Sequence, residues 1–294
     1  MSTRNTVSTS NPDRTSFLLG LVGAGIGGSL TPAMQEREGL ESGFNLTYRL
    51  IDAEKIGFGA ADLPEILSWA QRLGFDGLNI THPFKQHILP LLDELSDDAH
   101  DLGAVNTVVF RDGKALGRNT DWSGWGRAFR RRLPNAVTDR AVLVGAGGAG
   151  AAVGYALLDH GAAHVSIIDT DTQKAQECAT RLAKRFGDDR VCATGDLAGA
   201  LGDAQGLVNA TPIGMTGHTG LPVPADLVRD DLWVSDVVYF PLETELVRLA
   251  RSRGCRVVPG GGMAVFQAVG AFEYFTGRTP DAERMVRHFE ELSR

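Results

Sequence analysis

Residues Ala141 to Asp169 read AVLVGAGGAGAAVGYALLDHGAAHVSIID, and the rest of the chain is organised around them. The run Ala141-Val142-Leu143-Val144 is too short and too β-branched to be a helix of its own and reads as a buried strand. Gly145, Gly147 and Gly150 then spell G-x-G-x-x-G, and the Ala/Val/Leu-rich segment Ala151–Leu158 reads as a helix. A second strand, His164–Ile168, ends at Asp169, roughly 20 residues beyond the glycines, where a dinucleotide site needs an acid for its ribose. One glycine turns the chain, one lets backbone approach a pyrophosphate, and one lets the helix pack on the strand. The helix N-terminus adds N–H groups and a partial positive charge suited to phosphate. A ligand-free Gly-rich turn would account for the glycines, but not for a second strand ending in an acid at the right distance.

The 294 residues suggest one large or two modest domains. No apolar run approaches the ~20 residues of a membrane span, so no membrane partner is expected. A formal net charge of −7 without a basic stripe argues against nucleic acid. The short run Arg130-Arg131-Arg132 falls at a helix end, where it complements the helix dipole. Cys178, Cys192 and Cys255 are scattered, which suits a reducing cytoplasm and gives neither a disulfide frame nor a zinc site. His82 and His87 lack H-E-x-x-H spacing, and no metal is expected. Met1–Ser16 is polar, lacks the apolar core of a signal peptide and reads as a disordered tail.

Phe17–Val22 is the first strand candidate, and it leads into a decoy, because Gly23, Gly25 and Gly28 also satisfy G-x-G-x-x-G. Here Ser29-Leu30-Thr31-Pro32 follows at once, and Pro32 disfavours helix at Thr31. No second strand with a terminal acid follows on schedule, so this turn is not the dinucleotide loop; it presents two hydroxyls before a helix over Pro32–Gly39. Phe44–Ile51 alternates like a half-buried strand, and Asp62 is expected to cap a helix over Leu63–Leu73. Phe75–Ile80 is a strand, followed by two acidic-faced helical turns over Lys85–Leu92 and Asp93–Leu102. Val105–Phe110 and Lys114–Gly117 form a hairpin around Asp112-Gly113. From Asp139 to Val258 strands and helices alternate, with strands Arg190–Ala193, Gly206–Ala210 and Trp233–Tyr239 and helices Asp171–Phe186 and Glu243–Ser252, which implies a doubly wound parallel sheet. Gly260-Gly261-Gly262 breaks the chain before two closing helices, Met263–Thr276 and Pro280–Leu292.

Lysine is scarce in this chain, and Lys85 stands after a strand end and the Pro83 turn. An Arg cannot be deprotonated in a protein whereas a desolvated Lys can, so a lysine there is a useful acid/base. From spacing alone, a solvated lysine at a helix start and a plain N-cap at Asp121 are the commoner readings. Asn106-Thr107 and Asn119-Thr120 can be satisfied strand-end amides. Gln267 lies in the apolar face Met263-Ala264-Val265-Phe266, where a buried amide needs partners; Tyr239 at a strand end is ambiguous in the same way.

Together these pieces resemble the shikimate and quinate/shikimate dehydrogenase family, from about Leu19 to Phe289. The family's Ser-x-Ser/Thr-Pro-x-Met stands as Ser29-Leu30-Thr31-Pro32-Ala33-Met34, and its Asn-Val-Thr-x-Pro-x-Lys as Asn79 to Lys85. Gly-Ala-Val-Asn-Thr is intact at Gly103–Thr107, Asn-Thr-Asp at Asn119–Asp121, Asn-Ala-Thr-Pro-x-Gly-Met at Asn209–Met215, and Gly-Met-x-x-x-Gln at Gly262–Gln267.

The resemblance implies that Ser29 and Thr31, helped by Tyr239, bind a substrate carboxylate. It implies that Thr81, Asn106 and Gln267 hold ring hydroxyls, with Asn79 among the substrate contacts, and that Lys85 and Asp121 are the catalytic pair. The implied cofactor contacts are Gly145, Ala146, Gly147, Gly148, Ala149, Gly150, Asp169, Thr211, Pro212, Met215 and Val238, with Gly260 and Met263 near the nicotinamide. NADP-linked members often carry Asn-Arg-Thr after the second strand of the cofactor fold; Asp169-Thr170-Asp171 lacks that Arg and favours NAD.

The expectation is a two-domain α/β enzyme. Residues 17–122 and 261–294 form an N-terminal α/β substrate domain completed by C-terminal helices, and residues 123–260 form a doubly wound Rossmann cofactor domain. Quinate and shikimate are the expected substrates of a cytoplasmic monomer or homodimer. The alternatives are an NADP-linked biosynthetic shikimate dehydrogenase and a non-catalytic relative that senses quinate or shikimate. Intact Lys85, Asp121 and Gly145–Gly150 speak against a sensor. Methylenetetrahydrofolate dehydrogenases resemble the architecture more distantly and leave Ser29, Thr31 and Asn119–Asp121 unexplained.

Overall fold

The computed structural model describes residues 14–293. In chain order the elements are β1 (Ser16–Gly23), α1 (Thr31–Glu41), β2 (Asn45–Asp52), α2 (Ala53–Ile56), α3 (Leu63–Arg72), β3 (Gly77–Ile80), β4 (Glu94–Leu95), α4 (Asp97–Leu102), β5 (Thr107–Arg111), β6 (Lys114–Arg118) and α5 (Asp121–Arg132). They continue as β7 (Arg140–Val144), α6 (Gly148–Asp159), β8 (His164–Ile168), α7 (Thr172–Phe186), β9 (Val191–Ala193), α8 (Leu197–Gly202), β10 (Gly206–Asn209), β11 (Trp233–Asp236), α9 (Glu245–Ser252), β12 (Arg256–Val258), α10 (Gly261–Thr276) and α11 (Ala282–Leu292). None of the described helices is long and apolar enough to cross a membrane.

The chain divides into two compact units. One comprises residues through Ala99, Gly103–Thr120 and everything from Ala268 onward; the other comprises His100–Leu102 and Asp121–Gln267. Trp122 and residues 261–267 fall in the second unit.

The second unit is built on a sheet of strand order β12-β11-β10-β7-β8-β9, parallel throughout. Side chains alternate across it. Ala141, Leu143, Val165, Ile167, Val208 and Trp233 join one buried cluster with α5, α6 and α7, while Val142, Val144, Leu207 and Val234 join another with α8 and α9. Cover on both faces is why these strands read as unbroken apolar runs rather than alternating ones. The strand order reverses between β7 and β10, and ligands of open α/β sheets bind outside the carboxyl ends of the strands at such a point.

The first unit has a mixed sheet of order β2-β1-β3-β5-β6-β4, in which β3/β5 and β5/β6 are antiparallel. Phe17, Leu19 and Leu21 pack with Phe44, Leu46, Phe272 and Phe275, so the end of α10 covers one face. Val22, Leu78, Ile80, Phe84 and Ile88 fill the other. The Arg284 guanidinium of α11 meets the fully buried Glu38 carboxylate of α1 at 2.6 and 2.8 Å, which fastens the C-terminal helices to this unit.

Several local expectations are corrected. Residues 1–13 of the expected tail lie outside the described residues, but Ser16 already opens β1 and Arg14 pairs with Asp76. Helix α1 begins at Thr31 rather than Pro32, because a proline in the first turn removes no helical hydrogen bond. Asp62 does not cap α3; its carboxylate accepts the Gly59 N–H at 2.8 Å and closes a short 3₁₀ turn instead. The two helical turns expected over 85–102 reduce to turns, a 3₁₀ piece at Leu89–Leu91, β4 paired parallel to β6, and α4 alone. Strand β11 stops at Asp236, so Tyr239 stands beyond the strand end. The glycine triplet does not break the chain: α10 starts at Gly261, and a Cβ on Gly262 would lie 2.8 Å from Ala128 Cβ on α5, so glycine permits close helix packing there.

Candidate active site

Two amides of the first glycine-rich turn are taken inside the protein. Asp52, at the end of β2, accepts the N–H groups of Gly25 at 3.0 Å and Ile26 at 3.2 Å. Asp52 therefore competes with any anionic ligand for these two N–H groups. The turn is also fastened to the segment after β3: the Ala24 N–H donates to His82 O at 3.0 Å and the Thr81 N–H to Val22 O at 2.9 Å. A Cβ on Gly23 would lie 2.3 Å from Thr81 Cγ2, so only glycine allows this approach. Past the turn, Ser29 Oγ accepts the Thr31 N–H at 3.3 Å, which leaves the serine's own hydrogen to donate; both residues are half-buried at the start of α1.

Asn79 and Asn106 belong to one buried network. Tyr48 donates its hydroxyl to Asn79 Oδ1 at 2.6 Å, and Asn79 Nδ2 donates to Asn106 O at 3.0 Å and Thr107 Oγ1 at 3.1 Å. Both amide hydrogens of Asn79 are therefore used inside the protein, and burial pushes the Tyr48 hydroxyl far above its ordinary pKa, so it stays a donor. Asn106 Oδ1 accepts from Thr107 Oγ1 at 2.9 Å and the Thr120 N–H at 2.8 Å, and Asn106 Nδ2 donates to Thr120 Oγ1 at 2.9 Å. Asn119 Nδ2 donates to Ala104 O at 2.9 Å. These bonds fix the strand end that delivers the chain to Asp121, the buried first residue of α5. Lys85 is half-buried in a segment whose Phe84 and Ile88 are buried, and its carbonyl accepts the Val105 N–H at 2.9 Å. Ser29, Thr31, Asn79, Thr81, Lys85 and Asn106 thus belong to the first unit; Asp121, Tyr239, Gln267 and the cofactor candidates belong to the second. Gln267 is half-buried, with Nε2 donating to Ala264 O at 2.9 Å, and Tyr239 is 41% exposed.

In the second unit the strand-turn-helix after β7 fits a dinucleotide. Gly145 has φ +104, and a Cβ on Gly150 would stand 1.9 Å from Gly145 O, so both positions exclude any other residue. By contrast, a Cβ on Gly147 or Gly148 would meet nothing within 4 Å, and α6 has no side-chain cap at its N-terminus. Open space beside uncapped helix N–H groups is what a pyrophosphate needs. Asp169 reaches back to the loop: Oδ2 accepts the Ala146 N–H at 2.8 Å, and Oδ1 accepts the Asp171 N–H at 2.9 Å and the Thr170 hydroxyl at 3.4 Å. Burial alone would raise its pKa, but these donors and nearby Lys174 outweigh it and hold the carboxyl below the ordinary aspartate value. Asp169 is therefore anionic at neutral pH. Thr211 flanks the loop from β10, its Cγ2 3.0 Å from a Cβ built on Gly145. Gly260 presses on the Val237–Val238 carbonyls, which a Cβ there would approach to 2.5 and 2.4 Å. Met215 is 40% exposed and Met263 is half-buried.

Asp236 and Thr244 are missed from the sequence, where Asn209 stands only as the start of the Asn209–Met215 motif; the three meet at the carboxyl ends of β10 and β11. Asp236, 1% exposed, accepts from Asn209 Nδ2 at 3.0 Å, the Val238 N–H at 3.0 Å and Thr244 Oγ1 at 2.6 Å. Burial pushes its carboxyl above the ordinary value against the pull of those hydrogen bonds. The available signal was the Asn, Asp and Thr themselves, each at a strand or helix end, but such positions are usually simple caps.

Among protein families, the shikimate dehydrogenase substrate binding domain matches residues 21–108 and the shikimate 5'-dehydrogenase C-terminal domain matches residues 260–288. A protein of Streptomyces avermitilis named shikimate dehydrogenase (NADP(+)) is 52% identical over 280 residues, covering 95% of this chain and 96% of that one. A Corynebacterium glutamicum protein named quinate/shikimate dehydrogenase (NAD(+)) is 48% identical over 281 residues, covering 94% of this chain and 99% of that one. The structure of quinate dehydrogenase from Corynebacterium glutamicum in complex with NAD superposes with a TM-score of 0.90 at 47% identity, covering 95% of this chain and 100% of that one. With its two α/β units and these relatives along nearly its whole length, the chain belongs to the shikimate/quinate dehydrogenase family of nicotinamide-dependent oxidoreductases.

Proposed function

We propose that this protein reversibly oxidises a ring hydroxyl of quinate or shikimate to the ketone, with NAD as the preferred cofactor. The observation that carries the reading is the division between two glycine-rich turns. One gives its Gly25 and Ile26 amides to Asp52 and runs through Ser29 and Thr31 into the Pro32 helix start; the other, with Asp169 on the Ala146 amide, opens α6 on Gly147 and Gly148 beside open space. In this reading Ser29 and Thr31, with Tyr239, bind the carboxylate, and Thr81, Asn106 and Gln267 hold ring hydroxyls. Asn79, whose amide hydrogens are spent on Asn106 and Thr107, acts by holding Asn106 in place. Lys85, with Asp121 as its acid/base partner, takes the hydroxyl proton in the oxidising direction and returns it in reverse. When bound, the nicotinamide supplies the hydride acceptor.

Relatives of similar identity carry NAD and NADP names, so the preference is argued from the residues after β8. Asp169 holds an anion where a 2′-phosphate would sit, and Thr170 offers no cation to balance it.

Two substitutions test the division. Ser29→Ala is expected to raise KM for the acid and leave KM for NAD unchanged, since a lost hydrogen bond to a charged group costs about 1.5–3 kcal/mol. If steady-state kinetics showed NAD binding weakened instead, the two turns would have exchanged roles. Gly150→Ala drives a methyl into the Gly145 carbonyl and is expected to weaken NADH binding at least about tenfold, ~1.4 kcal/mol. Fluorescence titration measures it, and an unchanged Kd would remove the loop from the cofactor site.

A further inference from the structure

Asp236 is a buried carboxylate that no step above uses. Its partners hold two stretches of chain, here called rims, past the carboxyl ends of β10 and β11, at Thr211–Ile213 and at Val238. The two ends of an asparagine amide are nearly the same shape, so its orientation is set by what its neighbours can donate and accept. A carboxylate only accepts, so Asn209 must turn Nδ2 toward Asp236. Its other hydrogen goes to Ile213 O at 3.0 Å. Oδ1 then faces Thr211 and accepts both its N–H at 3.0 Å and its hydroxyl at 2.7 Å. With its proton committed, the Thr211 hydroxyl accepts the Ile213 N–H at 3.1 Å. The whole 211–213 turn follows from which way Asn209 faces. On the other rim, Asp236 holds the Val238 N–H while Gly260 abuts the same stretch of backbone. Thr244 completes the set: it donates to Asp236 and accepts the Val247 N–H at 3.1 Å, capping α9.

We propose that Asp236 is a positioning residue for the dinucleotide: by orienting Asn209 and the Val238 peptide, it sets the Thr211 and Val238 rims that meet the cofactor. This rests on the assignment of those rims to the cofactor made above. Asp236→Asn preserves most of the arrangement, because its amide oxygen can still accept from Asn209 and Val238 while the Thr244 hydroxyl turns to accept. Asp236→Ala leaves three buried donors without a partner, and Asn209 loses the group that orients it.

The experiment titrates wild type, Asp236→Ala, Asp236→Asn and Thr244→Val with NADH by fluorescence. It also measures KM for NAD and for quinate or shikimate, and the thermal midpoint. Asp236→Ala is expected to raise the NADH Kd and KM for NAD at least about tenfold, with KM for the acid changed less than about twofold. Asp236→Asn should keep the NADH Kd within about threefold of wild type, which is the rescue a positioning role requires. Thr244→Val, which removes the helix cap and the bond to Asp236 Oδ2 but leaves Oδ1 on Asn209 and Val238, should lower the thermal midpoint and keep the NADH Kd within about threefold. Wild-type NADH affinity in Asp236→Ala, or an equal rise in both KM values, overturns the proposal. If Asp236→Ala does not fold, Asn209→Ala removes the bonds to Thr211, Ile213 and Asp236 while leaving the Val238 N–H on Asp236; it must raise the NADH Kd at least about fivefold, and an unchanged Kd overturns the proposal. Wild type that fails to bind NADH overturns the cofactor reading itself, which separates that failure from one confined to Asp236.

Discussion

Replacing Lys85 by alanine is expected to lower kcat by about two to four orders of magnitude, the range of a lost general acid/base, or ~2.7–5.4 kcal/mol of barrier. KM for the acid should change much less, because the carboxylate is bound elsewhere in this account. The backbone of Lys85 is anchored independently of its side chain, by its carbonyl on Val105 N–H and by buried Phe84 and Ile88, so the substitution should remove the amine without disturbing the segment. Asp121→Asn should act in the same direction, and the double variant should lose far less than the two single losses added, as residues that work as one unit do. Stopped-flow and steady-state rates decide it. A Lys85→Ala variant with near-wild-type kcat would remove the acid/base assignment and return the chain to a ligand-sensing reading.

Cofactor choice carries the second large effect. The Asp169 carboxylate is held ionised beside the glycine loop by the Ala146 and Asp171 N–H groups. A 2′-phosphate in the same space brings nearly two negative charges. Like charges about 4 Å apart repel by roughly 4 kcal/mol at an effective dielectric of ~20, before Asp171 is counted. Lys174 offsets little of this, being exposed and paired with Asp171 at 3.6 Å. A kcat/KM preference for NAD over NADP of at least about a hundredfold, ~2.7 kcal/mol, is therefore expected. Asp169→Asn with Thr170→Arg should shift preference toward NADP, since it removes the repelling charge and adds a phosphate fork. An unshifted preference in the double variant would mean that neither residue faces the ribose.

The cofactor unit was the most legible part of the chain because its determinants are local. A strand, three glycines, a helix and an acid follow one another within Ala141–Asp169, and the buried parallel sheet writes itself as apolar runs. What stayed hidden depended on distant partners. Pro32 distinguishes the Gly23–Gly28 turn in the sequence, but the expectation that no second strand ends in an acid is corrected: β2 ends at Asp52, which reaches back to Gly25 and Ile26 across a long stretch of sequence. Helix was expected over 85–102 from the local pattern, and the parallel pairing of Glu94–Leu95 with Leu116–Gly117 overrode it. Asn79 carried a motif position suggesting substrate contact, while Tyr48 and the adjacent Asn106 and Thr107, which occupy its amide, come from two other segments. Asp236, Asn209 and Thr244 look like ordinary element ends until the sheet order brings β10 and β11 together.

The most direct test is a set of initial rates for the purified wild-type protein with quinate or shikimate, each with NAD and with NADP, following reduced nicotinamide by absorbance. The account predicts turnover of at least one of the two acids with NAD, at a kcat/KM at least about a hundredfold above that with NADP. No turnover in any of the four combinations, or equal efficiency with both cofactors, would contradict it.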